Sequence, residues 1–300
     1  MIIKNFDQLL EEVIKQRKKR MVAVNGTDAH TLEAINLAVE QGFIEPVVTG
    51  NEKEIKASCE KLNIDVSKYE IHHCESDEES VEKAVELIHE GKADIIMKGL
   101  LTTDKFMKGL LKKQYELVPP KGIVVHLALM ENPNYHKMIL FSDAAVIPTP
   151  DLKQKIVMTH FLIKAAKALG VETPKVAVIA PTEQIIISIQ SCMDGATISK
   201  MNEHGQIKGA LIEGPVALDV AICKEAAQIK GFTSEVAGDA DCLLFPTIDA
   251  ANVFYKTNTK LANAKLAGII MGAKVPVVVS SRGDSKETKL NSIALAALNS

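Results

Sequence analysis

The sequence predicts an α/β protein built on mostly parallel sheets. Short apolar runs alternate with longer amphipathic segments from end to end. Between Asp77 and Glu90 the apolar residues Val81, Ala84, Val85 and Ile88 recur at the i, i+3, i+4, i+7 period of one buried helix face. At 300 residues and 47% hydrophobic, the chain can bury a large core and has length for about two domains.

In the first half, Arg20–Asn25, Glu45–Thr49, Tyr69–Cys74, Ala93–Lys98 and Gly122–Leu127 read as strands. The segments Asp28–Gln41, Asn51–Leu62, Asp77–Glu90 and Thr103–Tyr115 between them read as helices. The pattern continues with a strand over Lys137–Val146 and a helix over Asp151–Leu169, which starts after Pro148-Thr149-Pro150 and stops at Gly170. Lys175–Ala180 is a strand, followed by helical segments to about His204. Strands at Ala210–Glu213 and Asp241–Phe245 flank a helix over Val216–Lys230. A helix over Ala250–Ala267 then leads to a last strand, Val275–Ser280, and a last helix, Asp284–Leu298. Strand and helix alternating this way imply a sheet covered on both faces. The final strand and helix are too short to stand alone. The expected division is residues 1–130 plus 270–300 as a discontinuous first α/β domain, with 131–269 as the second.

Charge and cysteine usage narrow the setting. With 35 basic and 38 acidic residues the formal charge is −3, no footprint for nucleic acid or an anionic membrane. The five cysteines, at 59, 74, 192, 223 and 242, are scattered, which suits a reducing cytosol and neither a disulfide framework nor a zinc site. Met1–Asp7 runs into a charged amphipathic helix without an apolar signal region, and no stretch approaches a membrane span. A cytoplasmic protein with no bound metal is expected. His72-His73-Cys74 sits on a strand, where neighbours face opposite ways, and reads as a strand end. His126, in an apolar strand, reads as a core histidine.

The common nucleotide and hydrolase motifs are missing. The turn Asn25–His30 has a single glycine, and neither a phosphate-binding P-loop nor a Gly-x-Ser-x-Gly elbow occurs. Four other segments stand just after strand C-termini, where α/β enzymes build their sites. The first is Lys98-Gly99-Leu100-Leu101-Thr102-Thr103, with Lys108 about one and a half turns into the next helix. It offers cations, close backbone approach, and a threonine that caps a helix or binds a phosphate oxygen. A plain capped helix with solvated lysines explains it as well. In the second, Phe141–Val146, Asp143 lies in an apolar strand, so it either satisfies structural donors or faces the site. The third spans Glu213–Asp219, with Gly238-Asp239 and Pro246–Asn252 around the following strand; Asn252, Tyr255 and Lys256 provide an amide, a hydroxyl and a cation. The fourth is Ser280–Lys289. It carries Arg282, the only arginine beyond Arg17 and Arg20, whose planar fork suits a phosphate or acyl phosphate. Asp284 and Glu287 have the spacing of a helix N-cap and its return partner.

Taken in order, these segments resemble the phosphate acetyltransferase and phosphate butyryltransferase family over nearly the whole chain. The stretches that carry the likeness are 93–103, 141–146, 214–222, 236–256 and 281–295. The last, SRGDSKETKLNSIAL, is most similar to the butyryl branch. The resemblance implies two α/β domains with a cleft between them, of the isocitrate/isopropylmalate dehydrogenase type, and a homo-oligomer. It also implies reversible transfer of a short acyl group between coenzyme A and inorganic phosphate, butyryl-CoA plus phosphate giving butyryl phosphate plus CoA. Coenzyme A is then a substrate, and no cofactor is implied. By the same likeness Ser281 and Arg282 match the catalytic pair. Lys98, Thr102, Thr103, Lys108, Asp143, Asn252, Tyr255 and Lys256 are candidate substrate-binding residues. Lys108 stands where the acetyl branch has an arginine, and Thr288 where that branch has an aspartate proposed to take the thiol proton. Glu287 is therefore the alternative base. Transfer from another short acyl-CoA, as in the acetyl branch, and non-catalytic acyl-CoA binding are the alternative functions. A metal-dependent hydroxyacid dehydrogenase would need an aspartate cluster that the C-terminal segments lack.

Overall fold

The computed structural model describes residues 1–279 and 284–300. The chain forms two compact units, one from Asp7–Val124 with Ala267–Ser300, the other from Met1–Phe6 with Val125–Leu266. Among the described residues no helix is long and apolar enough to cross a membrane.

The first of these units opens with α1 (Phe6–Lys15), β1 (Lys19–Val24), α2 (Ala29–Glu40), β2 (Ile44–Gly50) and α3 (Glu52–Lys61). It continues through β3 (Glu70–His73), α4 (Asp77–His89), β4 (Ile95–Lys98) and α5 (Thr103–Leu110). The helices begin where a short polar side chain satisfies an open backbone N–H. Asp28 accepts from Thr31 for α2, Asn51 from Lys53 and Glu54 for α3, and Ser76 from Glu79 for α4. Three acids in the first turn of α4, Asp77, Glu78 and Glu79, also favour its positive end. The reading of Thr103–Tyr115 as one helix is corrected: α5 stops at Leu110, and Lys113–Tyr115 is a separate 3-10 turn ending at Glu116 in the left-handed region.

The chain then builds the other unit: β5 (Val125–Glu131), β6 (Ile139–Ser142), α6 (Leu152–Ala168), β7 (Lys175–Ile179), α7 (Gln190–Glu203) and β8 (Leu211–Val216). The short helices α8 (Leu218–Ile222) and α9 (Lys224–Ile229), β9 (Cys242–Leu244) and α10 (Ile248–Leu261) follow. Its strand order is β5-β6-β9-β7-β8, parallel except for the β5–β6 pair. Phe141, Phe245, Phe254 and Tyr255 form the aromatic part of its core, with Phe141 5.2 Å from Phe254 and 6.3 Å from Tyr255 between centroids. Helix α7 lies directly on β8 through Gly195, where a Cβ would come within 2.8 Å of Pro215 Cα. Between α6 and α7, Lys155 Nζ donates to Asp194 Oδ2 at 2.6 Å, and Gln190 Nε2 to Asp194 Oδ1 at 2.8 Å. The N-terminal residues are tied here too: Ile3 N–H donates to the Leu169 carbonyl and Phe6 N–H to Glu131 Oε2.

Three expectations change in this region. The strand expected over Lys137–Val146 ends at Ser142, and Asp143 begins a turn. The helix expected over Val216–Lys230 is broken by Cys223 in an extended conformation. The helix expected over Ala250–Ala267 stops at Leu261, after which Asn263 adopts a positive φ and the chain enters a strand.

That strand, β10 (Lys265–Met271), leads back to the Asp7–Val124 unit, followed by β11 (Val277–Val278) and α11 (Lys286–Leu298). The order of strands there is β3-β2-β1-β4-β11-β10. All are parallel neighbours except β10, which runs antiparallel to β11. Met21 to Val24 of β1 are all buried, so both faces of the sheet are covered and the strand carries no polar alternation. In α11, Ile293 to Ala296 are completely buried, so the helix is core on most of its circumference. Burial of Ile293 and Leu295 contributes roughly 1.5–3 kcal/mol each.

Candidate active site

At the C-terminal edge of β1 and β4 the backbone is stitched across strands. Gly99 N–H donates to the Val24 carbonyl at 2.9 Å, and Leu100 N–H to the Asn25 carbonyl at 2.8 Å. A Cβ on Gly99 would lie 2.4 Å from the Asn25 carbonyl oxygen, so only glycine fits. Lys98 Nζ donates to the carbonyls of Gly99 and Leu101, which folds the turn around its own ammonium. Thr102 caps α5 by accepting from Lys105 N–H at 3.3 Å, and Thr103 opens the helix on the exposed side. The Lys108 side chain is 75% exposed and pairs with Asp104 at 2.9 Å. Such a surface pair contributes ~0–1 kcal/mol, so an incoming anion can draw that ammonium away at little cost.

Strand β11 lies beside β4 in parallel, Val277 opposite Ile96 and Val278 opposite Met97. The chain therefore leaves both strands at the same edge of the sheet, one toward the 98–103 turn and the other toward Ser281. Ser281 and Arg282 themselves lie outside the described residues. Beyond them, Ser285 caps α11, accepting from Thr288 N–H at 3.1 Å. This corrects the expected cap: Asp284 precedes the helix, and Ser285 with Thr288 takes the place assigned to Asp284 with Glu287. Glu287 is exposed in the first turn, where its charge suits the helix end. Lys286 pairs with Glu33 of α2 at 3.0 Å.

The other unit holds Asp143, Asn252, Tyr255 and Lys256. Asp143 is 1% exposed, and its carboxylate accepts four backbone N–H groups: Ala145 and Val146 at 2.8 Å, His126 at 3.0 Å and Ile147 at 3.3 Å. Of the two readings left open by the sequence, the structure supplies the structural donors. Asn252 Nδ2 donates to the Ala144 carbonyl at 3.0 Å, joining α10 to the same turn. Because β6 and β9 are parallel neighbours, the turn after Ser142 and the one after Leu244 share an edge. The Tyr255 ring packs on the Phe141 cluster, and Lys256 Nζ lies 5.4 Å from that ring's centroid.

Other polar clusters turn out to be structural. Burial alone would raise the Asp239 carboxyl, but hydrogen bonds from Lys175, His136 and Lys137 outweigh it and hold the group well below the ordinary carboxylate range. His72 pairs with Glu70 and His73 with Glu75.

The family model for phosphate acetyl/butaryl transferases matches residues 5–85 and 78–297. The chain belongs to that family. A phosphate butyryltransferase of Clostridium acetobutylicum is 40% identical over 297 residues, 99% of this chain and 98% of the relative. A phosphate acetyltransferase of Thermotoga maritima is also 40% identical, over 98% of this chain and 99% of its own. Among solved structures, a branched-chain phosphotransacylase from Enterococcus faecalis superimposes with a TM-score of 0.83 at 28% identity, covering 94% of this chain and 98% of its own. Within this family framework, one charged residue escaped the sequence reading. Lys289, inside the C-terminal run, is 5% exposed on α11; the spacing of charged residues carries no signal that a particular lysine will be buried.

Proposed function

We propose that the chain catalyses reversible acyl transfer between coenzyme A and inorganic phosphate, with butyryl-CoA plus phosphate giving butyryl phosphate plus CoA. Near-full-length identity to phosphate butyryl- and acetyltransferases supports the reaction class. The geometric observation that supports it is the parallel pairing of β11 with β4, which brings the C-terminal end of β11 to the same sheet edge as the Lys98 turn.

In the forward direction a phosphate oxygen attacks the thioester carbonyl carbon, the C–S bond breaks, and CoA leaves as a thiolate that takes a proton. Positioning the two reactants and stabilising the carbonyl oxyanion account for most of the acceleration. In this reading Arg282, Lys108 and Lys98 hold phosphate, while Ser281 or neighbouring backbone N–H groups meet the oxyanion. Thr102 and Thr103 contribute at the start of α5. Asn252, Tyr255 and Lys256 serve coenzyme A, and Asp143 shapes the turn beneath them. In reverse, the CoA thiol, whose free pKa is about 8.5, is favoured as thiolate by Arg282 and the start of α11. Glu287 is the alternative base. Turnover close to normal in Arg282→Ala together with its abolition in Glu287→Gln would hand the proton to Glu287.

The transfer changes no oxidation state, so coenzyme A enters as substrate and the scheme uses no cofactor. An isocitrate/isopropylmalate dehydrogenase-like arrangement with the site in a cleft, a homo-oligomer and a cytoplasmic setting belong to the same proposal, on the resemblance and on cysteine usage. One methylene in a pocket is worth only ~1–3 kcal/mol, so branches of this family can differ little in chain preference. Phosphate-dependent CoA release from acetyl-, propionyl-, butyryl-, isobutyryl- and valeryl-CoA tests the activity and ranks the chains. Binding of butyryl-CoA without phosphate-dependent thiol release would refute catalysis.

A further inference from the structure

The turn after β1, Asn25–His30, and the first turn of α4 have no role in the reaction as proposed, yet both reach the Lys98 turn. Asn25 adopts a left-handed backbone, φ +50°, which asparagine tolerates better than most residues. Its carbonyl accepts the Leu100 N–H at 2.8 Å. Its side-chain Nδ2 donates to Asp77 Oδ1 at 2.8 Å and lies 3.5 Å from the Leu100 carbonyl. The second oxygen of Asp77 serves α5: Oδ2 accepts from Lys105 Nζ at 3.3 Å. One carboxylate thus holds the turn before α5 through Asn25 and the body of α5 through Lys105.

The other acids of the same turn show what the helix end alone asks for. Asp77, Glu78 and Glu79 all suit the positive end of α4. Glu78 and Glu79 are exposed, and Glu79 turns back to accept from the Glu75 N–H. Asp77 is half-buried and gives both oxygens to groups on other elements. The two ties differ in strength. Lys105 is 62% exposed, so its pairing is a weak surface one, and the part-buried bond to Asn25 is the main link. Helix α5 is eight residues long and buries Phe106 and Leu110. Apolar burial is non-directional, so the polar ties at its start set how the helix is turned.

We propose that Asp77 is a positioning residue for phosphate: through Asn25 and Lys105 it fixes the Lys98–Thr103 turn and α5, and with them Lys98 and Lys108. This rests on the acyltransfer reading, in which those two lysines hold phosphate. Asp77→Ala is expected to lower kcat/KM for phosphate about ten- to a hundred-fold, the range for displacing a binding group by about 1 Å. KM for butyryl-CoA should stay within about two-fold, since only the phosphate groups move. Asn25→Gly permits the same left-handed backbone and removes the amide. It should reproduce the loss, and the double variant should lose little more, because both act through one bond. Asp77→Asn keeps an oxygen for Asn25 and should recover most of the lost kcat/KM. Independently of turnover, amide hydrogen exchange across residues 98–110 should quicken about ten-fold in Asp77→Ala and in Asn25→Gly. If Asp77→Ala does not fold, Asn25→Gly carries both measurements. Faster exchange with wild-type kinetics would make Asp77 a structural residue only and overturn the proposal. So would wild-type exchange, or a loss confined to the KM of butyryl-CoA. A wild-type protein without phosphate-dependent thiol release would instead overturn the acyltransfer reading, while the exchange would still decide whether Asp77 holds the turn.

Discussion

Replacing Asp143 by alanine removes the acceptor for four backbone N–H groups at once. At ~1.5–3 kcal/mol for a hydrogen bond to a charged group, the four sum to roughly 6–12 kcal/mol as an upper bound. The net effect is smaller. Ala145 is exposed and Val146 and Ile147 are half-buried, so water can replace the carboxylate there. His126 is buried within β5, and its N–H would bear the full penalty of ~1–3 kcal/mol for an unmet donor. A loss of about 3–5 kcal/mol is expected for Asp143→Ala, and about 2–3 kcal/mol for Asp143→Asn, which keeps the shape and one acceptor oxygen. The sequence contains no tryptophan, so urea unfolding followed by far-ultraviolet circular dichroism is the suitable assay. Comparing midpoints at equal slope isolates the stability change. An Asp143→Asn protein within about 0.5 kcal/mol of wild type, with a raised KM for acyl-CoA, would refute the reasoning and make Asp143 a substrate contact.

Gly99→Ala should lower activity and stability together, because its Cβ would press on the carbonyls of Asn25 and Val24; wild-type kinetics would mean the turn can open without consequence. Lys155→Met alone should cost ~3–5 kcal/mol by leaving the buried Asp194 without its counter-charge and with the Gln190 hydrogen bond in its place, whereas Lys155→Met with Asp194→Leu should cost less, a double-mutant cycle that denaturant titration reads. The depressed Asp239 carboxyl contributes stability that is fully present above the ordinary carboxylate value of about 3.9 and is lost as pH falls below it. Asp239→Asn should thus be less stable at neutral pH and show a flatter acid limb below about pH 4 in thermal melts; an unchanged acid limb would count against that linkage.

The α/β alternation was legible because β1 and β4 are short apolar runs and α4 keeps a strict helical period behind a serine cap. Where burial is uniform, periodicity fails. Leu266 to Met271 are all apolar or glycine and all buried, so nothing in their spacing separates a strand from the end of α10. The change of state at Asn263 depends on a left-handed backbone that asparagine tolerates but does not announce. At the site, the residue types after strand ends were readable, while their partners were not. Asp143 and Asp284 are both aspartates beside short polar segments, and only tertiary contacts give one to backbone donors and deny the other the cap. Lys289 was invisible for the same reason, since burial of a charged side chain is decided by what packs over it.

The insertion of β11 between β4 and β10 also bears on how the protein is made. A ribosome releases residues in order, and the unit around β6 and β9 has its last helix complete before residue 267 is synthesised. The unit that begins near the N-terminus must wait for β11 and α11. Until then β4 is paired with β1 alone, and its other side along Ile96 and Met97 is an open apolar strand edge of the kind that seeks other chains. The part of the protein translated first is thus the last to close, and its exposure ends only when the C-terminal helix arrives.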